Sequence, residues 1–461
     1  MSSTIQDYLA ALRGKRVAVI GIGVSNTPLI KMLLRAGIRV TACDKREREA
    51  FGGRADELES LGAELRLGED YLVGLDHDII FRTPGMRPDV PQLLAARERG
   101  SVLTSEMEVF FQVCPCRTIA VTGSDGKTTT TTIIAKLLQA AGHTVYLGGN
   151  IGKPLLPDVD GMEPDDIAVL ELSSFQLMTM DRSPDIAVVT NLAPNHLDVH
   201  LDMNEYVDAK KNILRYQDAD GLSVLNYDNE ITRKFAEETK GRLTFFSRTA
   251  QLPSGVFLKD DAIWIANEQG ERQVLPLADI LLPGVHNVEN YMAALGAVDG
   301  LVPDEVIRTF AAKFSGVEHR IELVRTLNGV RYYNDSIASS PSRTIAGLRS
   351  FRQKVILIAG GYDKHIPFDV LGPEITQHVK HLILTGDTAP KLRAAVEGAP
   401  GYTPDSPDIQ EYTDFDAAVM AAHCLAQPGD VVILSPACAS FDRFKNFVER
   451  GEAFKRIIYG L

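Results

Sequence analysis

The sequence predicts a three-domain α/β protein, and three observations carry that expectation. Its 461 residues exceed what one hydrophobic core organises, because domains of roughly 100–200 residues are the usual unit. Three separate stretches each open on an apolar strand of the buried kind, "KRVAVIG", "CRTIAVTG" and "VRYYNDS". After each, strand-like and helix-like segments alternate, as they do in parallel sheets built from crossover helices. Breaks are expected near residues 114 and 316, giving domains 1–114, 115–316 and 317–461.

The elements follow in order. In the first segment Val17–Ile20 reads as a strand buried on both faces. Thr27–Arg35 reads as the next helix, closed by Gly37. "RVTACD" is a second strand ending at Asp44, and "HDIIFRTPG" is a further strand that runs into a turn. In the second segment a helix over Thr128–Ala140 follows the strand, and Thr144–Leu147 is the strand after it. "DIAVLELSS" and "DIAVVTNLAP" are two more buried strands, and "NEYVDAKKNILRYQ" is a helix. "RLTFFS", "GVFLK" and "AIWIA" predict an antiparallel annex, and "HNVENYMAALGAV" a helix with Asn287 as its cap. In the third segment "VRYYNDS", "KVILIAGG", "HLILTG" and "DVVILSPA" are strands of another doubly wound sheet.

Composition excludes some functions. The formal net charge of -13 argues against a general nucleic-acid or anionic-membrane binder, while leaving room for a local cationic pocket that takes an anionic small molecule. The five cysteines are scattered, and Cys114-Pro115-Cys116 has no second pair nearby to complete a zinc site. Reduced thiols of a cytosolic enzyme are the simpler reading. The N-terminal "MSSTIQDYLAALRGKRVAVIG" has no apolar signal core, and no stretch reaches the length of a membrane span. A cytoplasmic protein without nucleic-acid partner or membrane insertion is expected.

Several motifs carry chemistry. "GIGVSN" joins a strand to a helix, with Asp44 where a ribose-binding acid would stand, but Asn26 replaces the third glycine of a dinucleotide fingerprint. A plain turn, or another nucleotide at the same helix N-terminus, fits it at least as well as NAD. "TGSDGKTT" is a stronger signal: Gly123 and Gly126 free the backbone to aim N–H groups at phosphate, Lys127 supplies a cation and Thr128 a hydroxyl for Mg2+. Val121 stands where the widespread spacing has a glycine. Glu171 ends a buried strand, where ligands gather in open parallel sheets, and a carboxylate there is a candidate Mg2+ ligand. "NLAPNHLDVH" places Asn191, His196, Asp198 and His200 in one loop; His196 gains weight from lying beside Glu171 in the expected strand order, and His200 is expected to be structural. Lys210 and Lys211 point about 100° apart on a helix, so two surface lysines is their default reading. His319 and Arg320 lie at a domain junction, and Asp335, Lys364, Ser440 and Phe447 lie further along the third segment, three of them after buried strands.

Taken in order, "TGSDGKTTT", "ELSSFQL", the His196 loop, "YVDAK", "HNVENYMAA", "EHRIE", "NDS", "GGYDK" and "SPACASFDRFKNFVERGEAF" make the whole chain resemble the Mur ligases. The resemblance implies a Rossmann-like N-terminal domain, a central P-loop NTPase-like mononucleotide-binding domain and a Rossmann-like C-terminal domain. "SSFQL" and the last motif are similar to the D-glutamate-adding branch. That branch phosphorylates the carboxylate of UDP-N-acetylmuramoyl-L-alanine with ATP. D-glutamate then displaces the phosphate, in a cytoplasmic step of peptidoglycan precursor synthesis. The implied cofactors are ATP and two Mg2+ ions, the implied partners are these small molecules, and a monomer is expected.

Residue by residue, the resemblance implies that Lys127, Glu171, His196 and Lys210 are catalytic. Thr128 and Glu171 would hold one Mg2+, and His196 with a carbamylated Lys210 would help hold the other. Gly123, Ser124, Asp125, Gly126, Lys127, Thr128 and Thr129, with Asn287, Arg320 and Asp335, would contact ATP. Gly23, Ser25, Asn26, Asp44, Lys45, Thr83 and Gly85 would hold the UDP part, and Asn150 the muramoyl part. Ser339, Lys364, Ser440 and Phe447 would position D-glutamate. Asp125, Asn195 and Ile337 depart from residues that many members carry, the last where many have lysine. Another amino-acid-adding member, a folylpolyglutamate synthase-like ligase, and a nucleotide-binding sensor remain open as alternatives.

Overall fold

The computed structural model describes residues 4–194, 199–364 and 366–461. The chain forms two compact units, Met1–Leu277 with Glu289–Phe310, and Ala278–Val288 with Ala311–Leu461.

The first unit holds two sheets. The smaller comprises β1 (Arg16–Ile20), β2 (Arg39–Asp44), β3 (Glu64–Leu67), β4 (Ile79–Phe81) and β5 (Val102–Thr104), all parallel, in the order β3-β2-β1-β4-β5. Val17, Ala18 and Val19 are fully buried, as a strand covered on both faces requires. The connections reverse direction between β1 and β4, so a crevice opens beyond their carboxyl ends. Gly21 follows β1 there, beside Thr83 after β4; a Cβ on Gly21 would lie 3.0 Å from Thr83 Cβ.

The larger sheet comprises β6 (Arg117–Thr122), β7 (Val145–Gly149), β8 (Ile167–Glu171), β9 (Ile186–Val189), β10 (Leu222–Asn226), β11 (Arg242–Ser247), β12 (Gly255–Lys259), β13 (Ala262–Asn267) and β14 (Gly270–Pro276). Its order is β14-β13-β12-β11-β10-β9-β6-β8-β7. The antiparallel annex is shorter than expected. "RLTFFS" is β11 and runs parallel to β10, because a helix at Glu230–Lys234 lies between them; only β12, β13 and β14 alternate in direction. Asp260 and Asp261 both take positive φ and make the two-residue turn from β12 to β13. One apolar cluster, including Phe110, Leu155, Leu156 and Leu170, spans both sheets, so packing is continuous across the junction near residue 114. The helix Val285–Val298 starts before Asn287, whose side chain donates to the Pro283 carbonyl at 2.5 Å from inside the first turn. Asn287 is therefore not the cap that the sequence predicts.

The second unit holds β15 (Glu322–Leu327), β16 (Val330–Asn334), β17 (Val355–Ala359), β18 (Val379–Leu384), β19 (Asp408–Glu411) and β20 (Val431–Leu434), in the order β15-β16-β20-β17-β18-β19. Only β15 is antiparallel to its neighbour. Alternate residues of β17 enter opposite cores: Val355, Leu357 and Ala359 on one face, Ile356 and Ile358 on the other. The adjacent strands β16, β20 and β17 run directly into the segments that carry Asp335, Ser440 and Lys364. Among the described residues, no helix is long and apolar enough to cross a membrane.

Candidate active site

The phosphate loop is built by its glycines. Gly126 ends the loop at φ +78°, a left-handed conformation that costs other residues roughly 1–2 kcal/mol. A Cβ there would collide with Asn290 Oδ1, and one on Gly123 would collide with Thr190 Oγ1. The loop is pinned from the following strand end. Ser124 N–H donates to the Asn191 carbonyl at 2.8 Å, Asp125 N–H to Asn191 Oδ1 at 3.0 Å, and Thr190 Oγ1 to the Asp125 carbonyl at 2.6 Å. Asn191 is thus a scaffold for the loop. Lys127 Nζ folds over the loop and donates to the Gly123 and Ser124 carbonyls, each at 2.9 Å. The threonine run fits the helix Lys127–Ala140 because Thr131 and Thr132 donate back to the carbonyls of Lys127 and Thr128 at 2.8 and 2.7 Å. Thr129 is buried in the same helix.

Beside this loop stands Glu171, at the end of β8 and 2% exposed. Thr128 Oγ1 donates to its Oε2 at 2.6 Å, and Asn150 Nδ2 to its Oε1 at 2.7 Å. A hydroxyl and a carboxylate in contact at a phosphate loop are hard oxygen donors of the kind Mg2+ takes, so the donor set fits that ion. Asn150, expected at the muramoyl group, here orients the carboxylate.

Lys210 overturns its surface reading. It is 1% exposed, and its Nζ donates to Thr122 Oγ1 at 3.0 Å and to the Gly123 carbonyl at 3.1 Å. The helix Met203–Arg215 packs its Tyr206 and Lys210 face inward, since residues four apart share a face. Lys211, a step of about 100° further round, turns out to Glu238 at 2.5 Å. Burial, aided by the Lys127 charge and opposed by Glu171, pushes the Lys210 pKa well down. This favours a neutral amine. His196, Asn195 and Asp198 lie outside the described residues.

In the first sheet, Asn26 is 2% exposed and its Nδ2 donates to the Ile20 carbonyl at 2.9 Å. The side chain that replaces a third glycine therefore ties the helix to β1 by a hydrogen bond. Thr27 N–H and Oγ1 both bond the Gly23 carbonyl, while Ser25 and Lys45 are exposed. Asp44 accepts from the Ile22 amide at 2.8 Å and from Arg46 Nε and Nη2 at 3.0 and 2.9 Å. The Arg46 contacts and backbone amides hold its pKa down against burial. Gly85 lies in the turn after Thr83, whose carbonyl accepts from Met86 N–H at 3.1 Å.

The second unit carries Asp335 after β16, Lys364 after β17 and Ser440 after β20. Asp335 accepts from Ser435 Oγ at 2.7 Å and from the Ile321 amide at 3.3 Å, and burial pushes its pKa up to about 7. His319 and Ile321, on either side of Arg320, take φ of +62° and +46°, an uncommon backbone state for such residues. Asn334 Nδ2 donates to His319 Nδ1 at 2.9 Å, and Phe447 meets the same ring edge-on at 6.0 Å. Arg343 Nη1 donates to the Ile337 carbonyl at 3.2 Å, so a guanidinium lies beside Ile337. Ser339 is half-buried, Ser440 buried and Lys364 exposed.

Sequence reasoning missed Arg450. It is 3% exposed, yet donates to Ser336 Oγ and the carbonyls of Ser336, Cys438 and Ala439 at 2.9–3.0 Å. Burial pulls its pKa down to about 10. In "VERGEAF" it sits between acids like any surface arginine, so no local signal marks it.

Comparison with known proteins fits this geometry. The profile described as "Mur ligase middle domain" matches residues 121–298, and "Mur ligase, glutamate ligase domain" matches 319–438. The chain is 54% identical to the UDP-N-acetylmuramoylalanine--D-glutamate ligase of Acetivibrio thermocellus, over 99% of both chains. It is 49% identical to the protein of the same name from Clostridium novyi, over the whole of both. Among solved structures, the UDP-N-acetylmuramate-alanine ligase of Thermotoga maritima aligns over 97% of this chain and 99% of its own, with TM-score 0.58 at 17% identity. That likeness concerns the fold. With its phosphate loop, its buried Glu171 and its whole-length relatives, the chain belongs to the Mur ligase family.

Proposed function

We infer that the protein is an ATP-dependent ligase that joins the carboxyl group of UDP-N-acetylmuramoyl-L-alanine to the amine of D-glutamate. The observation that carries the assignment is 54% identity, over 99% of both chains, to a relative bearing that enzyme's name. The geometry supplies the physical reason the chemistry works. A carboxylate is a poor electrophile until one oxygen becomes a leaving group. Its oxygen attacks the γ-phosphorus of ATP and ADP departs. The glutamate nitrogen then attacks the acyl carbon, loses a proton, and phosphate leaves.

Bringing a carboxylate to a triphosphate requires aligned, preorganised positive charge. The loop amides of Gly123–Thr129 and the Lys127 ammonium supply it, with Lys127 exchanging loop carbonyls for phosphate oxygens. Thr128 and Glu171 would hold Mg2+, which neutralises phosphate charge when bound. We propose that His196 and Lys210 serve a second ion. An ammonium cannot ligate a cation, but the buried amine of Lys210 favours the neutral form, which CO2 converts to an anionic carbamate. Asn287, Arg320 and Asp335 are assigned to ATP. Gly23, Ser25, Asn26, Asp44, Lys45, Thr83 and Gly85 are assigned to the uridine diphosphate, and Asn150 to the muramoyl group through its place on Glu171. Ser339, Lys364, Ser440 and Phe447 are assigned to D-glutamate. The divisions 1–114, 115–316 and 317–461, a monomeric state and a cytoplasmic location complete the proposal.

The test is a screen of amino acids for phosphate release with ATP and UDP-N-acetylmuramoyl-L-alanine. D-glutamate alone should support turnover. Turnover with L-lysine or diaminopimelate in its place overturns the specificity. NADH binding at "GIGVSN" without ligation points to a sensor.

A further inference from the structure

The turn after β4 is stapled at both ends by arginines that no part of the proposed chemistry uses. Arg82 is buried and donates to the carbonyls of Thr83 and Pro84 at 3.3 and 3.1 Å and to that of Met86. It also reaches the Phe175 carbonyl at 3.3 Å and Thr179 Oγ1 at 3.0 Å, on the segment that follows Glu171. At the other end Arg87 uses all five N–H donors of its guanidinium. Nε and Nη2 donate to the two Asp89 oxygens at 2.9 and 2.8 Å. Nη1 and Nη2 donate to the two Glu205 oxygens at 2.9 and 2.8 Å, and Nη1 also donates to the Val199 carbonyl at 2.8 Å. Two-pronged contacts of this kind fix geometry as well as charge.

Glu205 passes the contact on. It lies in the first turn of the helix that carries Tyr206 and Lys210. Its Oε2 also accepts from the Leu201 amide at 2.8 Å and from His200 Nδ1 at 3.3 Å. Arg87 holds the Glu205 carboxyl down at about 2, and burial keeps His200 below its usual value. His200 is then neutral, with Nδ1–H donating to Glu205 and Nε2 accepting from Ser174 Oγ at 2.9 Å. Its ring stacks on Phe175 at 5.3 Å and 7° and meets Tyr206 edge-on at 5.3 Å. The Tyr206 hydroxyl bonds Ser124 Oγ of the phosphate loop at 2.9 Å. A bonded path therefore runs from the Thr83–Gly85 turn through Arg87, Glu205 and Tyr206 to Ser124.

From this path we infer that Arg87 is a positioning residue through which the turn assigned to the uridine diphosphate sets the place of the phosphate loop, so that binding at one strengthens binding at the other. The inference rests on the reading of that turn under "Proposed function". Neither Arg87 nor Glu205 touches a reacting atom; each acts through the helix bearing Tyr206. Because linkage is reciprocal, the effect is measurable from either ligand.

The test uses the full chain, a non-hydrolysable ATP analogue and UDP-N-acetylmuramoyl-L-alanine. In the wild type the UDP substrate should tighten the analogue by about fivefold or more. Arg87→Lys keeps the charge but loses the fork. It should stay folded, lower kcat by about tenfold or more, and bring the tightening close to onefold, with little change in affinity for the ATP analogue measured without the UDP substrate. Glu205→Gln should do the same, and the double variant should be no worse than either single one. Unchanged kcat and unchanged tightening in folded Arg87→Lys overturn the inference. So does activity lost only in proportion to melting, which marks a merely structural bond, or a wild type that binds UDP substrate without tightening the analogue. A wild type that does not bind the UDP substrate overturns the site reading itself, and the inference with it.

Discussion

The Thr128 hydroxyl donates to the Glu171 carboxylate at 2.6 Å, joining the helix that leaves the phosphate loop to the end of the neighbouring strand. The pair presents two hard oxygens on one side of the loop. Thr128→Val and Glu171→Gln should each lower kcat by at least about 100-fold, the scale on which removal of one preorganised polar group acts. Glu171→Gln keeps the shape and the Asn150 contact, so its melting temperature should stay near that of the wild type. Phosphate release and thermal melting check both statements; wild-type kcat in either folded variant contradicts them.

Lys127→Ala should abolish ligation in a folded protein. The ammonium bonds the Gly123 and Ser124 carbonyls of the loop, neutral acceptors on the face where phosphate would lie. Turnover should fall on the order of 10³-fold, with circular dichroism unchanged.

Lys210→Arg should be inactive and destabilised. A guanidinium stays charged in proteins and cannot carry a carbamate, yet it would occupy a site that already pushes an amine toward neutrality. Lys210→Met should be inactive but at least as stable as Lys210→Arg. Assays with and without added bicarbonate, beside urea unfolding, separate the two effects. Full activity of Lys210→Arg contradicts the ligand role.

Much of this was legible in the sequence, and the exceptions have physical causes. The strands were readable because parallel sheets buried on both faces need unbroken apolar runs, as in Val17–Ile20 and Val355–Ala359. Gly126 was readable because its left-handed φ demands a glycine. The resemblance named Lys210, but its burial was not readable, since it depends on which helix face meets β6, a tertiary fact that "AKK" does not encode. Arg87, Glu205 and Arg450 were illegible for a related reason: an arginine's partners lie far along the chain, and only the fold reveals that 87 meets 205 or that 450 meets 336. The annex was misjudged at "RLTFFS" because strand composition does not tell parallel from antiparallel.

Glu106 gives the fold a pH dependence. It is buried with the Leu156 amide donating to Oε1 at 2.9 Å, and burial raises its pKa from 4.5 to about 7. The folded state holds a proton that the unfolded state has released between these values. The stability this contributes is full below pH 4.5 and is lost as pH rises through about 7, by about 3 kcal/mol in total. Glu106→Gln should therefore gain stability relative to the wild type between pH 5 and pH 8. Urea unfolding at both values checks it; a difference independent of pH contradicts it.

Gly126→Ala should cost about 1–2 kcal/mol from its left-handed φ alone, and more because Asn290 must move. Nucleotide-analogue affinity should fall with it. Unchanged affinity and stability, by calorimetry and denaturation, contradict the account of the loop.

The most direct measurement is the mass of the product formed from UDP-N-acetylmuramoyl-L-alanine, ATP and D-glutamate. The result expected is a species heavier by one glutamyl residue, with one ADP and one phosphate released per molecule formed. ATP hydrolysis without that species, or the same gain in mass with a different amino acid and none with D-glutamate, contradicts the claim.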